Sequence, residues 1–296
     1  MSDRTRTQEY KAETLLLIVV VIWAANYPLA KYALGFLHPF VFNAIRYIVA
    51  TSVLLIGAKP SSWWMPVRKS DWPKLFRAGI IASVLYQVLF IVGLSMTTAG
   101  NSAIILSTSP LWTILLSAWM HKEKIRRLLW WGMIVSFIGI IMIIVGSSKK
   151  LTLGGNEFFG DIIVLAAASL WGLNTTLQKP LLTTYSAKQL SLILFSIGAV
   201  GLTLVGAPAI VQTDWRVVPL VSIVAAILSG AFSIGVGNVM WSYGVKHLGP
   251  GRTSNFNNLV PVLAFLLSYF VLDEKLLPIQ LVGAAVTVVG VWIARQ

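Results

Sequence analysis

The stretch VIWAANYPLAKY, residues 21–32, places a tryptophan, an asparagine, a proline and a lysine inside an apolar run. Part of it returns as SLWGLNTTLQKP at residues 169–180. The matching positions are 148 residues apart and pair Trp23 with Trp171, Asn26 with Asn174 and Lys31 with Lys179. Polar side chains are costly inside membrane helices and usually have a function there. Their recurrence predicts an internal repeat.

The composition identifies the class of protein. Of 296 residues, 57% are hydrophobic and 11% are charged, and the mean hydropathy is +0.80, which is typical of integral membrane proteins. Runs of about 20 apolar residues, enough to cross a bilayer, follow one another along the chain. They predict an all-α membrane protein with ten transmembrane helices near residues 14–36, 40–58, 74–95, 100–120, 128–146, 159–181, 187–211, 217–244, 251–271 and 278–295.

The net charge of +13 comes from lysines and arginines in short loops, a pattern that argues against nucleic-acid binding. Seventeen of them lie on the face that carries both predicted termini, and four lie in the loops of the other face. Cytoplasmic loops are enriched in basic residues. Both termini are therefore predicted to be cytoplasmic. The chain has no cysteine, which excludes disulfides and thiolate metal sites.

The first apolar run resembles a signal peptide only superficially. It extends over residues 14–36, and its motif returns in the middle of the chain. Signal peptides have a shorter apolar core and are removed. We therefore predict that this run remains as the first transmembrane helix.

A second register of the repeat is longer. At an offset of 151 residues the following positions match: Gly79 and Gly230, Gly93 and Gly244, Gly100 and Gly251, Pro110 and Pro261, Glu123 and Glu274, Lys124 and Lys275, Gly132 and Gly283, and Gly139 and Gly290. The sequence thus predicts two five-helix repeats, residues 1–146 and 159–296, joined by a linker at 147–158. Because five is odd, the repeats must be inverted relative to each other, as in many secondary transporters.

Several motifs together resemble a known family. They are W-x-x-N in the first helix of each repeat, Arg46-Tyr47, the S-P-L of residues 109–111, and the glutamates Glu123 and Glu274. In this order they are similar to the ten-helix EamA-type carriers of the drug/metabolite transporter superfamily, among them the YddG-type amino-acid exporters. The resemblance implies an inverted-repeat fold, a central cavity and export of amino acids and related metabolites.

The polar residues within the spans predict where such a cavity lies. Trp23 and Asn26 share one helix face, as do Trp171 and Asn174. These residues either line the cavity or hydrogen-bond neighbouring helices to each other, and the sequence leaves both alternatives open. The predicted substrate cavity consists of Trp23, Asn26, Arg46, Tyr86, Gln87, Ser107, Trp171, Asn174, Asn238, Trp241, Asn255 and Asn258.

Two prolines predict flexible points. Pro110 and Pro261 interrupt the fourth and ninth helices, because proline lacks the N–H and clashes with the carbonyl four residues earlier. We predict hinges there, with the carbonyls of Leu106 and Asn257 left free. The adjacent run TSNFNN, residues 253–258, either lines the cavity or begins the ninth helix in a frayed conformation.

Three charged groups near or within the spans have alternative roles. Arg46 lies inside the second helix, where it either meets a substrate carboxylate or braces the fold through backbone carbonyls. Lys31 and Lys179 lie near helix ends, and their side chains are expected to extend to the membrane interfaces.

Other function classes lack their signatures. No Asp or Glu falls in the middle third of a predicted span, so a proton-coupled carboxylate site is not expected and zwitterionic or anionic cargo is favoured. The three histidines show no metal-ligand spacing, and no catalytic motif is present. We predict no metal, no cofactor and no enzymatic activity. The expected partners are a small-molecule substrate and the lipid bilayer.

The remaining alternatives concern cargo and class. Sugars, nucleotide sugars or drug-like molecules are the alternative substrates, and a channel or membrane-embedded enzyme is the alternative class. The protein is expected in the bacterial cytoplasmic membrane. A monomer and a homodimer are both compatible with the sequence.

Overall fold

The computed structural model describes residues 3–56, 64–97, 99–122, 127–146, 155–264 and 278–295, and these ranges are helical apart from short connections. The helices, labelled α1 to α10 in chain order, are α1 Asp3–Leu34, α2 Pro39–Ile56, α3 Lys69–Met96, α4 Ala99–Leu106 and Ser109–His121, α5 Arg127–Gly146, α6 Gly155–Thr184, α7 Ala187–Gln212, α8 Leu220–Leu248, α9 Pro250–Asn255 with its continuation at 256–264, and α10 Pro278–Arg295. Several residues of the sequence predictions lie outside the described ranges, namely Glu123, Lys124, Glu274, Lys275, most of the linker 147–158 and residues 265–271.

Six helices within the described ranges are long and apolar enough to cross a bilayer: α1, α2, α3, α6, α7 and α8. The apolar parts of α5 and α10, Arg127–Gly139 and Leu281–Gly290, are shorter. The all-helical membrane fold that the composition predicted is therefore confirmed. The first helix differs from its predicted start near residue 14, because the polar residues that precede the apolar run continue the same helix back to Asp3.

The fourth and ninth helices are interrupted rather than continuous. α4 stops at Leu106 and begins again at Ser109, and α9 contains a tight 3₁₀ turn at Phe256–Asn258. Both interruptions lie just before a proline, Pro110 or Pro261. The physical reason is the missing proline N–H and the clash of its ring with the preceding turn. Shifted by 151 residues, the gap at residues 107–108 overlaps the 3₁₀ turn at Asn258.

Wide, π-helical turns occur in α3 and in α8. α3 contains a π-helical segment at Ile80–Leu85, and α8 contains one at Ser229–Gly237. Shifted by 151 residues, the first segment falls within the second. Hydrogen bonds in a π segment join residues five apart, and such segments are frequent at functional sites. This irregularity was not predicted from the sequence.

The closest pairing joins α5 and α10. Ser136 Oγ donates to the carbonyl of Thr287, and Thr287 Oγ1 donates to the carbonyl of Ser136, both at 3.4 Å. The two residues are 151 positions apart. Gly139 lies against Gly283, and Gly290 lies against Gly132. The contacts pair increasing residue numbers on α5 with decreasing residue numbers on α10, so the two helices run antiparallel. The contacts are also reciprocal between the two helices.

This helix pair has no room for a side chain at its glycines. A Cβ at Gly290 would lie 2.6 Å from the Gly132 carbonyl. We expect Gly290→Leu to destabilise the protein by at least about 1–3 kcal/mol, because overpacking forces the backbones apart. A thermal melt in detergent measures the effect, with Ala285→Leu on the exposed side of α10 as the matched control. Equal melting temperatures of the two variants would contradict this packing.

A second reciprocal contact places α2 in the interior. A Cβ at Gly230 on α8 would meet the backbone of Arg46 at 2.6 Å, and one at Gly79 on α3 would meet Ile197 on α7 at the same distance. Gly230 follows Gly79 by 151 residues, and Ile197 follows Arg46 by the same offset. The glycine lets α8 lie directly on α2. Arg46 is consequently held in the centre of the molecule, with 1% of its surface exposed.

Candidate functional site

A central cavity lies where α1, α2, α3, α6 and α8 converge with the interrupted parts of α4 and α9. Its lining consists of Trp23, Asn26, Tyr27, Arg46, Tyr86, Gln87, Phe90, Leu106, Trp171, Ser233, Ile234, Asn238, Asn257 and Val260. The free space is about 40 Å³. A single buried water needs roughly 10–15 Å³ by this measure, so the cavity as it stands accommodates about three waters. A larger ligand requires the surrounding helices to move apart.

The two halves of the chain contribute to the lining at corresponding positions. The pairs with both members in the lining are Trp23 with Trp171, Gln87 with Asn238, and Leu106 with Asn257. The first pair follows the 148-residue offset, and the other two follow the 151-residue offset. The chemistry at paired positions differs, since Leu106 is apolar and Asn257 is an amide. The cavity is therefore symmetric in its framework and asymmetric in its side chains.

Two tryptophans, Trp23 and Trp171, form one wall, and Trp241 packs against both. The ring centroids of Trp23 and Trp171 are 5.2 Å apart in an edge-to-face arrangement, and Trp241 lies 5.1 Å from the first and 5.4 Å from the second. Such pairs stabilise beyond the area they bury. Trp23 Nε1 donates to the Ser233 carbonyl at 3.1 Å. The indole nitrogens of Trp171 and Trp241 have no hydrogen-bond partner among the described residues.

Further aromatic rings extend this wall along α3. The ring centroid of Tyr86 is 5.0 Å from that of Trp171 and 5.8 Å from that of Phe90. Tyr27 on α1 meets Phe90 edge to face at 6.0 Å. Flat aromatic surfaces next to a few polar groups are typical of pockets for small amphipathic molecules.

The π segment of α8 supplies backbone acceptors to the cavity. Asn238 Nδ2 donates to the carbonyls of Ser233 at 3.2 Å and Ile234 at 3.1 Å. The Ser233 carbonyl also accepts from the Trp23 indole. Ser229, at the start of the segment, donates through Oγ to Asn26 Oδ1 at 2.5 Å. The wide turns thus connect α8 to the polar residues of α1.

Arg46 is the charged group of the lining. Its Nη1 donates to Asn43 Oδ1 at 3.0 Å and to Gln87 Oε1 at 3.3 Å. The guanidinium carbon lies 5.1 Å from the centroid of the Phe42 ring. Nε is buried and has no partner among the described residues. The observed partners are side-chain amide oxygens, whereas the bracing alternative from the sequence invoked backbone carbonyls.

Seven of the predicted site residues meet in this cavity: Trp23, Asn26, Arg46, Tyr86, Gln87, Trp171 and Asn238. Five do not line it. Asn174 accepts from Gln178 Nε2 at 3.0 Å, and Trp241 stands behind the two lining tryptophans. Ser107 is buried at the interruption of α4.

The polar run of α9 is buried rather than frayed. Its residues 253–258 are all less than 9% exposed. Asn255 and Asn258 bond to each other, Nδ2 of Asn258 donating to Oδ1 of Asn255 at 3.2 Å. Asn257 reaches the cavity instead, and its Nδ2 donates to Ser109 Oγ at 2.9 Å across to α4. The run therefore contributes one lining amide and a bridge between the two interrupted helices.

Lys31 has a structural role at the end of α3. Its Nζ donates to the carbonyls of Leu94 at 2.8 Å and Thr97 at 2.6 Å. A cation at the last carbonyls of a helix is favoured by the helix dipole. The lysine was expected to extend towards the membrane interface. In the structure it joins α1 to α3 by capping carbonyls that α3 itself leaves unpaired.

Comparisons with known proteins place the chain among transporters. The profile of the EamA-like transporter family matches residues 10–145 and again residues 158–296. The uncharacterized transporter YyaM of Bacillus subtilis is 28% identical, over 94% of this chain and 91% of that protein. A probable terminal-alkyne amino-acid exporter of Streptantibioticus cattleyicolor is also 28% identical, over 97% of this chain and 94% of the relative.

The fold agrees with a solved structure. One crystal structure superimposes with a TM-score of 0.75 at 17% sequence identity, covering 96% of each chain. At this identity the likeness concerns the fold alone. The family profile, by contrast, covers nearly the whole sequence. The chain therefore belongs to the EamA-like transporter family, as its motifs indicated.

Proposed function

We propose that the protein is a secondary transporter that exports small polar or amphipathic metabolites, amino acids foremost, across the cytoplasmic membrane by alternating access. One observation carries this proposal. A central cavity with an aromatic wall, amides and one arginine is lined by both halves of the chain, with three pairs of lining residues at corresponding positions. Secondary transporters built from inverted repeats bind their cargo at such a repeat interface.

The proposed architecture is ten spans in two inverted repeats, residues 1–146 and 159–296, with both termini cytoplasmic. The reciprocal contacts between α5 and α10 support it, because helices related by a two-fold axis in the membrane plane must run antiparallel. The reciprocal pair formed by Gly79 with Ile197 and Gly230 with Arg46 supports the same axis. The family profile also matches the two segments separately.

Alternating access requires flexible points near the cavity. We assign this role to Pro110 and Pro261, because the helical interruptions that precede them lie beside the cavity-lining residues Leu106 and Asn257. The present cavity is too small for an amino acid. Bending at these points would open it towards one side of the membrane and then the other.

The nature of the cargo follows from the lining. The aromatic rings of the lining can pack against an apolar part of the cargo, and its amides can hydrogen-bond polar groups of the cargo. Arg46 can pair with a carboxylate. No Asp or Glu lines the cavity in the part of the chain that the structure describes. A carboxylate that exchanges a proton for cargo is therefore not part of the proposed mechanism. The amino-acid exporter among the relatives agrees with amino acids as the first class to test.

Counterflow in proteoliposomes tests the proposal. Vesicles loaded with one unlabelled amino acid at a time are mixed with the same labelled compound outside, and a carrier accumulates label transiently through exchange. We expect at least one apolar or aromatic amino acid to show this. A channel would show no stimulation by internal cargo, and an enzyme would alter the compound. If no amino acid exchanges, amino-acid transport is excluded.

A further inference from the structure

Arg46 is a buried cation that has no carboxylate partner among the described residues. Its side chain lines the cavity, only 1% of the residue is exposed, and its two observed hydrogen-bond acceptors, on Asn43 and Gln87, are neutral amide oxygens. Buried charges in proteins are normally paired, because desolvation of an unpaired ion is costly. The site therefore lacks an anion.

Two acidic residues within the described helices, Glu13 and Asp161, are engaged elsewhere. Glu13 lies near the start of α1 and pairs with Arg252, while Asp161 near the start of α6 accepts from Thr97 Oγ1 at 2.7 Å. Neither lines the cavity. The repeat offers no compensation either, since the position that corresponds to Arg46 is Ile197. Within the described residues the lining carries one positive charge and no negative charge.

A second unpartnered donor lines the same cavity. The Trp171 indole nitrogen is buried, and no described residue accepts its proton. Buried indole N–H groups usually have an acceptor. Tyr86, whose ring lies 5.0 Å from that of Trp171, also lines the cavity together with Arg46. Both nitrogens are closed off in the present structure. Once the cavity opens to admit cargo, a two-oxygen carboxylate can accept from both the guanidinium and the indole N–H.

We propose that Arg46 and Trp171 form a carboxylate-binding subsite and that the carboxylate is the group by which cargo is recognised, while an ammonium group is dispensable. The inference rests on the proposed transport function and narrows its substrate class to small carboxylates with an apolar or aromatic body. The rings of Tyr27, Tyr86 and Phe90 receive that body. Among the described lining residues an ammonium finds ring faces and neutral hydroxyl, amide and carbonyl oxygens but no carboxylate, and Arg46 repels it.

Three probes of similar shape test the subsite: 3-phenylpropionate, phenylalanine and phenethylamine. The purified protein in detergent is titrated with each, and binding is measured by the shift in melting temperature. We expect 3-phenylpropionate to bind at least as tightly as phenylalanine, and phenethylamine to bind at least tenfold more weakly than either. Equal binding of the amine and the acid would overturn the inference, and so would binding of none of the three.

Substitutions of Arg46 test whether this side chain binds the carboxylate of the probe. Arg46→Gln should weaken 3-phenylpropionate binding at least tenfold, and Arg46→Lys should recover part of it, because the charge remains while the fork of donors is lost. Lys31→Gln is the matched control, since this lysine is a cation within α1 but lies at the end of α3 outside the cavity. It should bind the acid as the unchanged protein does. Unchanged affinity in Arg46→Gln would refute the subsite.

The transport function and the carboxylate subsite can be refuted separately. If counterflow of amino acids succeeds while the amine competes as well as the acid, the proposed function stands and the subsite does not. If the acid binds through Arg46 but no carboxylate exchanges across proteoliposomes, the subsite stands as a binding site and amino-acid transport does not.

Discussion

Replacing Asn26 by leucine is expected to reduce cargo exchange at least tenfold while the protein still folds and inserts. Asn26 lines the cavity, and its Oδ1 accepts from the Ser229 hydroxyl at 2.5 Å. Leucine has a similar volume but accepts no hydrogen bond. The change leaves the Ser229 hydroxyl without its acceptor and removes a polar contact for cargo. A lost buried hydrogen bond costs about 1–3 kcal/mol, which corresponds to about 5- to 150-fold in affinity.

The measurement is counterflow at equal protein density, with KM and maximal rate determined separately. Asn174→Leu is the matched control. Asn174 is the counterpart of Asn26 in the repeat and is equally buried, but its bond runs to Gln178 on the same helix and it does not line the cavity. We expect both variants to melt at a lower temperature and Asn26→Leu alone to raise KM strongly. An equal rise of KM in both would remove the distinction between the two sites.

The part of the cavity that the sequence predicted follows from regular helix geometry. Trp23 and Asn26 are three residues apart, so they share a helix face, and both line the cavity. The same spacing relates Asn238 to Trp241, but of that pair only Asn238 lines it. The rule extends to lining residues that were missed. Tyr27 lies four residues after Trp23, and Phe90 lies four residues after Tyr86. Their apolar character made them look like ordinary membrane-facing residues, although helix spacing alone placed them beside known candidates.

The remaining lining residues depend on departures from the regular helix. Ser233 contributes a backbone carbonyl, which becomes an acceptor for side chains only because α8 widens into a π segment. The sequence predicted that Asn257 leaves its backbone carbonyl free and that Asn255 and Asn258 line the cavity. The 3₁₀ turn at Phe256–Asn258 has three residues per turn instead of 3.6. That change rotates Asn257 towards the cavity, and composition and spacing do not reveal it.

Neutralising Arg252 is expected to open the end of the protein at which α1 and α9 begin. Arg252 Nη1 lies 3.4 Å from Glu9 Oε2, and its Nη2 lies 3.4 Å from Glu13 Oε1. The two ion pairs join the starts of α1 and α9. The groups are partly exposed, so each pair is worth about 1 kcal/mol at most. Losing both would shift an equilibrium between closed and open states by up to about thirtyfold.

The effect should be confined to that end of the protein. In the repeat, Glu13 corresponds to Asp161, but Arg252 corresponds to Asn101, so the other end has no arginine in the equivalent position. The proposed topology puts the Arg252 end on the cytoplasmic side. Arg252→Gln should therefore favour the state that is open to the cytoplasm, and the state that is open to the outside should become less populated.

Single cysteines can report this shift because the chain contains none. Thr253→Cys reports on the Arg252 end and Ser102→Cys on the opposite end. The two residues occupy corresponding positions of the repeat and are both 0% exposed.

In the Arg252→Gln background, we expect a maleimide to label Thr253→Cys at least fivefold faster than before and Ser102→Cys no faster than before. A Glu9→Gln, Glu13→Gln double variant should reproduce this result, because it removes the same ion pairs from the other side. Equal acceleration at both reporters would mean that Arg252 stabilises the whole fold, and no acceleration at either would mean that other contacts keep this end closed.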